Sequence, residues 1–195
     1  MKKLVLINFL FAAFSSFAQE KPEGLFINSK APDFKATDQN GMEINLKDLR
    51  KKGPVVILFY RGYWCPYCNK ELTRFQDSLG LITAKGAQLI AITPEQAAGV
   101  AKTIEKTKAS FPIISDKDMT IIKSYEGLFD VDEKTRMRYK SFGIDLYENN
   151  AQKDKASLPV PAIYVINRDG SVTYRYFDAD YKKRPWVSEI LAAIK

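Results

Sequence analysis

The sequence predicts an α/β fold built around a mixed β-sheet, and two observations lead to this class. Short apolar runs typical of buried strands alternate with segments whose apolar residues recur every three or four positions, as on one face of a helix. Two late apolar runs are joined by the turn sequence Asn167-Arg168-Asp169-Gly170, which indicates an antiparallel hairpin. Alternating strands and helices favour parallel pairing, and the hairpin adds antiparallel pairing, so the sheet should be mixed.

Short apolar runs bounded by turn residues predict the strands. They are rich in β-branched and aromatic residues, and glycine or proline residues such as Gly53, Pro54 and Gly86 separate them from their neighbours. The run from Val55 to Tyr60 should be the buried central strand. The predicted strands are 43–46, 55–60, 87–93, 111–114, 160–166 and 171–177.

Helices are predicted where the apolar period lengthens to three or four residues. After Cys68 the apolar positions keep that spacing, which predicts one helix through Ile82. Pro94 and Glu95 are typical of the first turn of the next helix. The predicted helices are 47–52, 68–82, 94–109, 118–125, 132–142 and 187–194.

The only two cysteines of the chain lie in Cys65-Pro66-Tyr67-Cys68, where the central strand leads into a helix. Unpaired N–H groups and the helix dipole stabilise a thiolate at this end of a helix, so the site is suited to nucleophilic chemistry. Three-residue spacing also brings both sulfurs to one helix face, within reach of a disulfide. An inert structural disulfide is the alternative. A zinc site needs two further ligands, and the chain has no histidine; we expect no metal and no cofactor.

The amino-terminal residues have the pattern of an export signal. Lys2 and Lys3 precede an apolar run that is too short to span a membrane, and small residues follow at the positions that a signal peptidase reads. We expect residues 1–18 to be a cleaved secretory signal peptide and residues 19–195 to form a single domain with an insertion at about 128–158. The expected location is a bacterial periplasm.

The charge distribution argues against two classes of partner. The net charge of the chain is +7, and the lysines and arginines are spread along the sequence. Lys51-Lys52 and Lys182-Lys183-Arg184 are interpreted as solvated ends of elements. We therefore expect no nucleic-acid binding and no stable membrane association.

Trp64-Cys65-Pro66-Tyr67-Cys68, following a buried strand, resembles the thioredoxin superfamily. The resemblance implies a thioredoxin-like fold, with a mixed central β-sheet flanked by helices on both faces. Pro161 falls where that fold places a cis-proline beside the cysteine pair, which implies a role in substrate docking.

Further segments resemble the peroxiredoxin branch, the alkyl hydroperoxide reductase and thiol-specific antioxidant (AhpC/TSA) family. The resemblance spans about residues 29 to 195. The matching segments are Ala31-Pro32-Asp33-Phe34, Gly53-Pro54-Val55-Val56, Phe111-Pro112-Ile113-Ile114-Ser115-Asp116, and Asp178-Ala179-Asp180-Tyr181 with the later Arg184.

The chain departs from both patterns at the residues that move protons. Cys68 matches the peroxidatic cysteine, but Arg61 stands at the family's proline and Cys65 at its threonine. The family's later arginine would fall near Pro161 and is missing, and Phe59 occupies the position of the buried acid of thioredoxin.

The resemblance implies peroxide reduction through a dithiol/disulfide cycle at Cys65 and Cys68, as in antioxidant defence. Arg61, Trp64 and Pro161 are the candidate substrate-binding residues. The implied partners are a peroxide or disulfide substrate and, as reductant, a thioredoxin-like protein or a membrane thiol-electron donor.

Three questions stay open at the level of sequence. The peroxiredoxin alignment names Cys68 as the attacking sulfur, whereas thioredoxin-like geometry names Cys65, at the exposed lip of the helix. We expect a split by substrate, in which Cys65 attacks protein disulfides and peroxide forms its sulfenic acid chiefly on Cys68. An exported thiol-disulfide oxidoreductase acting on protein disulfides is the alternative function. A non-catalytic exported binding module with a structural disulfide, using aromatic residues such as Tyr60 and Tyr63, is the alternative from another class.

Overall fold

The computed structural model describes residues 21–195, and the predicted signal peptide, residues 1–18, lies outside them. No helix in the described part of the chain is long and apolar enough to cross a membrane. The strands are β1 (Lys35–Thr37), β2 (Glu43–Asn45), β3 (Val55–Phe59), β4 (Gln88–Thr93), β5 (Ile113–Ser115), β6 (Leu128–Asp130), β7 (Ser157–Pro159), β8 (Ala162–Ile166) and β9 (Val172–Phe177). The helices are α1 (Leu46–Lys52), α2 (Pro66–Asp77), α3 (Leu79–Ala84), α4 (Ala97–Thr107), α5 (Thr120–Ser124), α6 (Glu133–Ser141), α7 (Leu146–Asn149) and α8 (Val187–Ala193).

The central sheet is mixed, as the sequence predicts. Its strand order is β5-β4-β3-β8-β9. The helical crossovers make β3, β4 and β5 parallel, and β8 and β9 form the antiparallel hairpin. β3 lies in the middle, paired on one side with β4 and on the other with β8, and all five of its residues are buried.

Alternate residues of β3 pack into two cores, one on each face of the sheet. Val56 and Leu58 face the core that contains α2, α4 and α8. Ile57 and Phe59 face the core closed by α1 and α5. Helices therefore cover both faces, which confirms the thioredoxin-like fold.

Two helix boundaries differ from the predictions by three residues or more. The helix predicted through Ile82 breaks at Ser78, which ends α2 and precedes α3; serine and the nearby Gly80 both have low helix propensity. The next helix begins at Ala97 rather than Pro94. Glu95 stays outside it because the Ser115 hydroxyl binds its backbone carbonyl, and its side chain is fully buried.

The segment around residues 128–158 has structure of its own. β6 and β7 form an antiparallel pair, and the predicted helix at 132–142 is confirmed as α6, whose first turn is capped by Asp132. Val131, Leu146 and Leu158 contribute to a small third core. Trp64 packs against the same core, so this segment lies beside the cysteine motif.

Candidate active site

Cys65 is the N-cap residue of α2. Its backbone is extended (φ −86°, ψ 107°), and Pro66 takes the first helical position. Its sulfur accepts a hydrogen bond from the Cys68 N–H at 3.3 Å, as a serine or aspartate oxygen would in a capped helix. A thiolate at this position therefore meets an unpaired N–H group and the positive end of the helix dipole.

Arg61 supplies a cation to the same sulfur. Its Nη2 lies 3.6 Å from Cys65 Sγ, and its side chain is 4% exposed, which places the guanidinium inside the protein rather than in a solvated turn. The hydrogen bond from the Cys68 side chain, followed by the charge of Arg61, lowers the pKa of Cys65 to about 6 despite burial. These interactions favour the thiolate form of Cys65.

Cys68 has the opposite electrostatic environment. Burial, and then the neighbouring Cys65, raise the pKa of Cys68 well above its ordinary value. The charge of Arg184, whose Nη2 lies 3.6 Å from Cys68 Sγ, opposes this shift. The surroundings of the pair therefore favour a thiolate on Cys65 and a thiol on Cys68.

The expectation that Cys65 occupies an exposed lip is wrong. Both sulfurs are 0% exposed. Both cysteines belong to the main core, against which Trp64 packs. The Arg61 guanidinium beside Cys65 lies 3.8 Å from the ring centroid of Tyr181 and 5.0 Å from that of Trp64. Solvent therefore has no direct access to either sulfur in this structure.

Arg184 forms a buried ion pair with Glu71. Its Nε lies 2.9 Å from Glu71 Oε2, with the two side chains 6% and 4% exposed. Burial raises the pKa of Glu71 to about 7, against the opposing charge of Arg184. The interpretation of Arg184 as a solvated end of an element is therefore wrong. Arg184 lies in the carboxyl-terminal tail, the segment between β9 and α8, and this tail packs against α2.

Glu95 is a second buried carboxyl group beside the motif. It accepts the Tyr63 N–H at 2.9 Å, and burial raises its pKa to about 8. A Cβ at Gly62 would lie 2.5 Å from Glu95 Oε1, so this glycine makes room for the carboxyl group. Glu95 thus fixes the backbone of the turn that carries Arg61.

Of the two remaining candidate substrate-binding residues, Trp64 lies where the sequence predicts. It is beside Arg61, as expected for a residue of the site.

Pro161 does not have the predicted conformation. The expected cis peptide bond before Pro161 is wrong, because no peptide bond among residues 21–195 is cis. Val160 donates its N–H to Gly127 at 2.8 Å, which continues the extended path of β7 into β8, and a trans proline suits such a path. A substrate-binding role for Pro161 stays a prediction.

Sequence reasoning did not assign five residues to the site, namely Glu71, Glu95, Tyr139, Tyr181 and Arg184. Glu71 carried a usable signal, since it follows Cys68 by three positions and so shares its helix face. Arg184, Tyr139 and Tyr181 reach the motif only through tertiary structure. In the described part of the chain no cluster of three or more cysteine and acidic side chains is arranged to hold a metal ion.

These features define a protein of thioredoxin-type fold that carries a cysteine pair at the start of the helix after its central strand. More particularly, the chain belongs to the AhpC/TSA family, whose family model matches residues 27–175.

The chain resembles both a protein named as a thiol-disulfide oxidoreductase and proteins named as a peroxidoxin or a peroxiredoxin. The thiol-disulfide oxidoreductase ResA of Bacillus thuringiensis subsp. konkukian is 34% identical over 106 residues, which cover 54% of this chain and 60% of that protein. Peroxidoxin BcpB of Mycobacterium tuberculosis has a similar structure, with a TM-score of 0.65, 22% identity and coverage of 86% of this chain and 94% of that one. A mutant of peroxiredoxin 6 from Arenicola marina superposes with a TM-score of 0.68 at 20% identity, covering 86% of this chain and 71% of that one. The two structural likenesses support the fold.

Proposed function

We propose that the protein reduces hydroperoxides, with Cys65 as the attacking thiolate and Cys68 as the resolving thiol. The observation that carries the proposal is the environment of the Cys65 sulfur. It accepts the Cys68 N–H, lies 3.6 Å from the Arg61 guanidinium, and is 0% exposed. A stabilised thiolate beside a cation and enclosed by protein suits a small, polar oxidant.

The proposed reaction has two steps. The Cys65 thiolate attacks one oxygen of the hydroperoxide, the O–O bond breaks, and the leaving alkoxide takes a proton from solvent. Cys65 becomes a sulfenic acid. The Cys68 sulfur then attacks the Cys65 sulfur; the hydroxyl group leaves as water with the Cys68 proton, and a disulfide forms. An external dithiol restores both thiols by disulfide exchange.

Arg61 has a defined part in the first step. Negative charge moves from the sulfur toward the leaving oxygen, and a fixed guanidinium beside the sulfur stabilises that charge inside the protein. Arg184 serves Cys68 in the second step, because a cation 3.6 Å from its sulfur favours the thiolate that resolves the sulfenic acid. These assignments place the peroxidatic role on Cys65 rather than on Cys68.

Exchange with protein disulfides is the second candidate function. It is supported by the resemblance to ResA and by the activation of Cys65, the first cysteine of the motif. A protein disulfide is bulkier than a peroxide and would require Trp64 and Tyr181 to move away from Arg61. The enclosed sulfurs therefore favour the peroxide.

The proposal includes export and an extracytoplasmic reductant. The signal-like pattern of residues 1–18 supports a periplasmic location, where a thioredoxin-like protein or a membrane thiol-electron donor would recycle the disulfide. Amino-terminal sequencing of protein purified from the native host tests this part. Intact Met1 to Ala18 on cytoplasmic protein would reject it.

Stopped-flow mixing distinguishes the two candidate functions. Reduced protein is mixed with hydrogen peroxide and, separately, with a disulfide-bonded protein, and Cys65→Ser is the control. We expect the peroxide reaction to be much the faster, and to disappear in Cys65→Ser. Faster oxidation by the protein disulfide would support the second candidate and reject the first.

A further inference from the structure

The segment at 128–158 contributes a side chain to the cysteine site. The Arg61 Nη1 donates a hydrogen bond to the hydroxyl of Tyr139, on α6, at 2.9 Å, while the other arm of the guanidinium faces Cys65 Sγ at 3.6 Å. The Tyr139 ring also packs on Trp64, with centroids 5.3 Å apart. Tyr139 and Cys65 therefore contact the two terminal nitrogens, Nη1 and Nη2, of the same buried guanidinium.

We infer that Tyr139 is a positioning residue that fixes the Arg61 guanidinium against the Cys65 sulfur and thereby sets the reactivity of that sulfur. The inference rests on the proposed role of Cys65 as the attacking thiolate. It assigns a function to the segment at 128–158, which carries Tyr139 to the site.

Arg61 needs such a contact because few other groups hold it in place. Its Nε is buried and makes no hydrogen bond to the described residues. Its neighbours Trp64 and Tyr181 contact the guanidinium through ring faces, which attract a cation but leave it free to slide in the ring plane. The Tyr139 hydroxyl supplies a directional contact.

Tyr139 is the residue by which α6 contacts the cysteine site. None of the residues of α6 is fully buried, so the helix itself adds little to the main cores. Tyr139 is half-buried against the small core of the segment, and its backbone carbonyl accepts the N–H groups of Phe142 and Ile144 at the end of the helix. The segment thus holds the Tyr139 ring against Trp64.

Other ionisable groups near Cys65 act with Arg61 or against it. Cys68 hydrogen-bonds to the sulfur from within α2 and favours the thiolate. Glu71 on α2 and Glu95 after β4 repel negative charge on the sulfur when they are ionised. Arg184, from the tail, faces Cys68. Tyr139→Phe leaves all of these groups unchanged, which makes it a specific test.

The test is a thiolate titration in the Cys68→Ser background, followed by the ultraviolet absorbance of the thiolate. In this background only Cys65 titrates as a cysteine, and the serine hydroxyl can still donate to it. Tyr139→Phe keeps the ring but removes the hydrogen-bond acceptor of Arg61. We expect the Cys65 titration to move upward by about one pH unit, because a displaced cation no longer favours the thiolate.

Tyr147→Phe is the matched control. Tyr147 belongs to the neighbouring α7, packs against the same small core and contacts Arg136 rather than Arg61. We expect its titration to match that of the parent. An unchanged titration in Tyr139→Phe, or an equal shift in Tyr147→Phe, would overturn the inference.

A double-mutant cycle shows whether Tyr139 acts through Arg61. In an Arg61→Met background, Tyr139→Phe should cause no further shift, and a persisting shift would overturn the inference. If Arg61→Met does not fold, Arg61→Gln gives the same comparison, because glutamine is polar but carries no charge that Tyr139 could hold against the sulfur. The titration is read without peroxide, so failure of the proposed peroxidase activity would leave this result interpretable.

Discussion

Arg184 and Glu71 form an ion pair of 2.9 Å that is almost completely removed from solvent. One partner lies on the helix of the cysteine motif and the other on the tail before α8. The second arm of the same guanidinium reaches Cys68 Sγ at 3.6 Å. The carboxyl-terminal tail therefore contributes a side chain to the cysteine site, and we expect the same side chain to stabilise the fold.

Arg184→Met should lower the free energy of unfolding by about 3 kcal/mol above about pH 8, where Glu71 is ionised in the wild-type protein and the variant leaves it buried without its partner. The loss should shrink at lower pH, where Glu71 takes up a proton. Urea unfolding of the reduced protein measures both effects. Lys183→Met is the control: its ion pair with Asp178 is 3.6 Å long, its side chain is 65% exposed, and we expect a change below about 1 kcal/mol. Equal losses in the two variants would contradict this account of the pair.

Glu95→Gln should make stability less dependent on pH. Burial raises the pKa of Glu95 from 4.5 to about 8, so the folded state holds a proton that the unfolded state releases. The wild-type protein therefore loses stability as the pH rises from 4.5 to about 8, by at most about 1.4 kcal/mol per pH unit from this group. Glutamine keeps the acceptor for the Tyr63 N–H without titrating.

The measurement is the unfolding free energy across that pH range. Some slope should remain in Glu95→Gln, because the pKa of Glu71 is also raised, to about 7, and acts with the same sign. Glu105→Gln, an exposed change on α4, is the control and should follow the wild type. A Glu95→Gln profile parallel to that of the wild type would show that Glu95 is not protonated in the folded protein.

Oxidation should join Cys65 and Cys68 within one chain. The sulfurs share the first turn of α2, and Cys68 hydrogen-bonds to Cys65, so they are in reach of each other. Intact-mass measurement after one equivalent of hydrogen peroxide should show the loss of two hydrogens and no dimer. Two persistent free thiols, or a disulfide between chains, would contradict the two-step cycle.

Much of the fold could be predicted from local sequence, because periodicity and turn residues are local signals. β3 and the hairpin turn at Asn167 to Gly170 are confirmed. The break at Ser78 escaped prediction because Ile82 remains buried after it, so the apolar stripe continues although the helix does not. Periodicity reports which side faces the core and carries no information on a change of helix axis.

The site was predictable only where its residues are contiguous. The cysteine motif and Arg61 lie within one short stretch and were found. Arg184 follows two exposed lysines, so its surroundings in sequence indicate solvent, although it is held in the interior by Glu71. Tyr139 packs against Trp64, which is far from it in the sequence, and no local pattern predicts that contact.

The most direct test of the central claim is to locate the sulfenic acid. Cys65→Ser and Cys68→Ser are each reduced, treated with hydrogen peroxide in the presence of dimedone, and mapped by peptide mass spectrometry. We predict rapid labelling of Cys65 in Cys68→Ser, because Arg61 and the helix terminus stabilise that thiolate. We predict little labelling of Cys68 in Cys65→Ser, because burial raises the pKa of Cys68. Labelling mainly of Cys68 would contradict the assignment of the attacking sulfur, and the absence of label on both would contradict peroxide reduction.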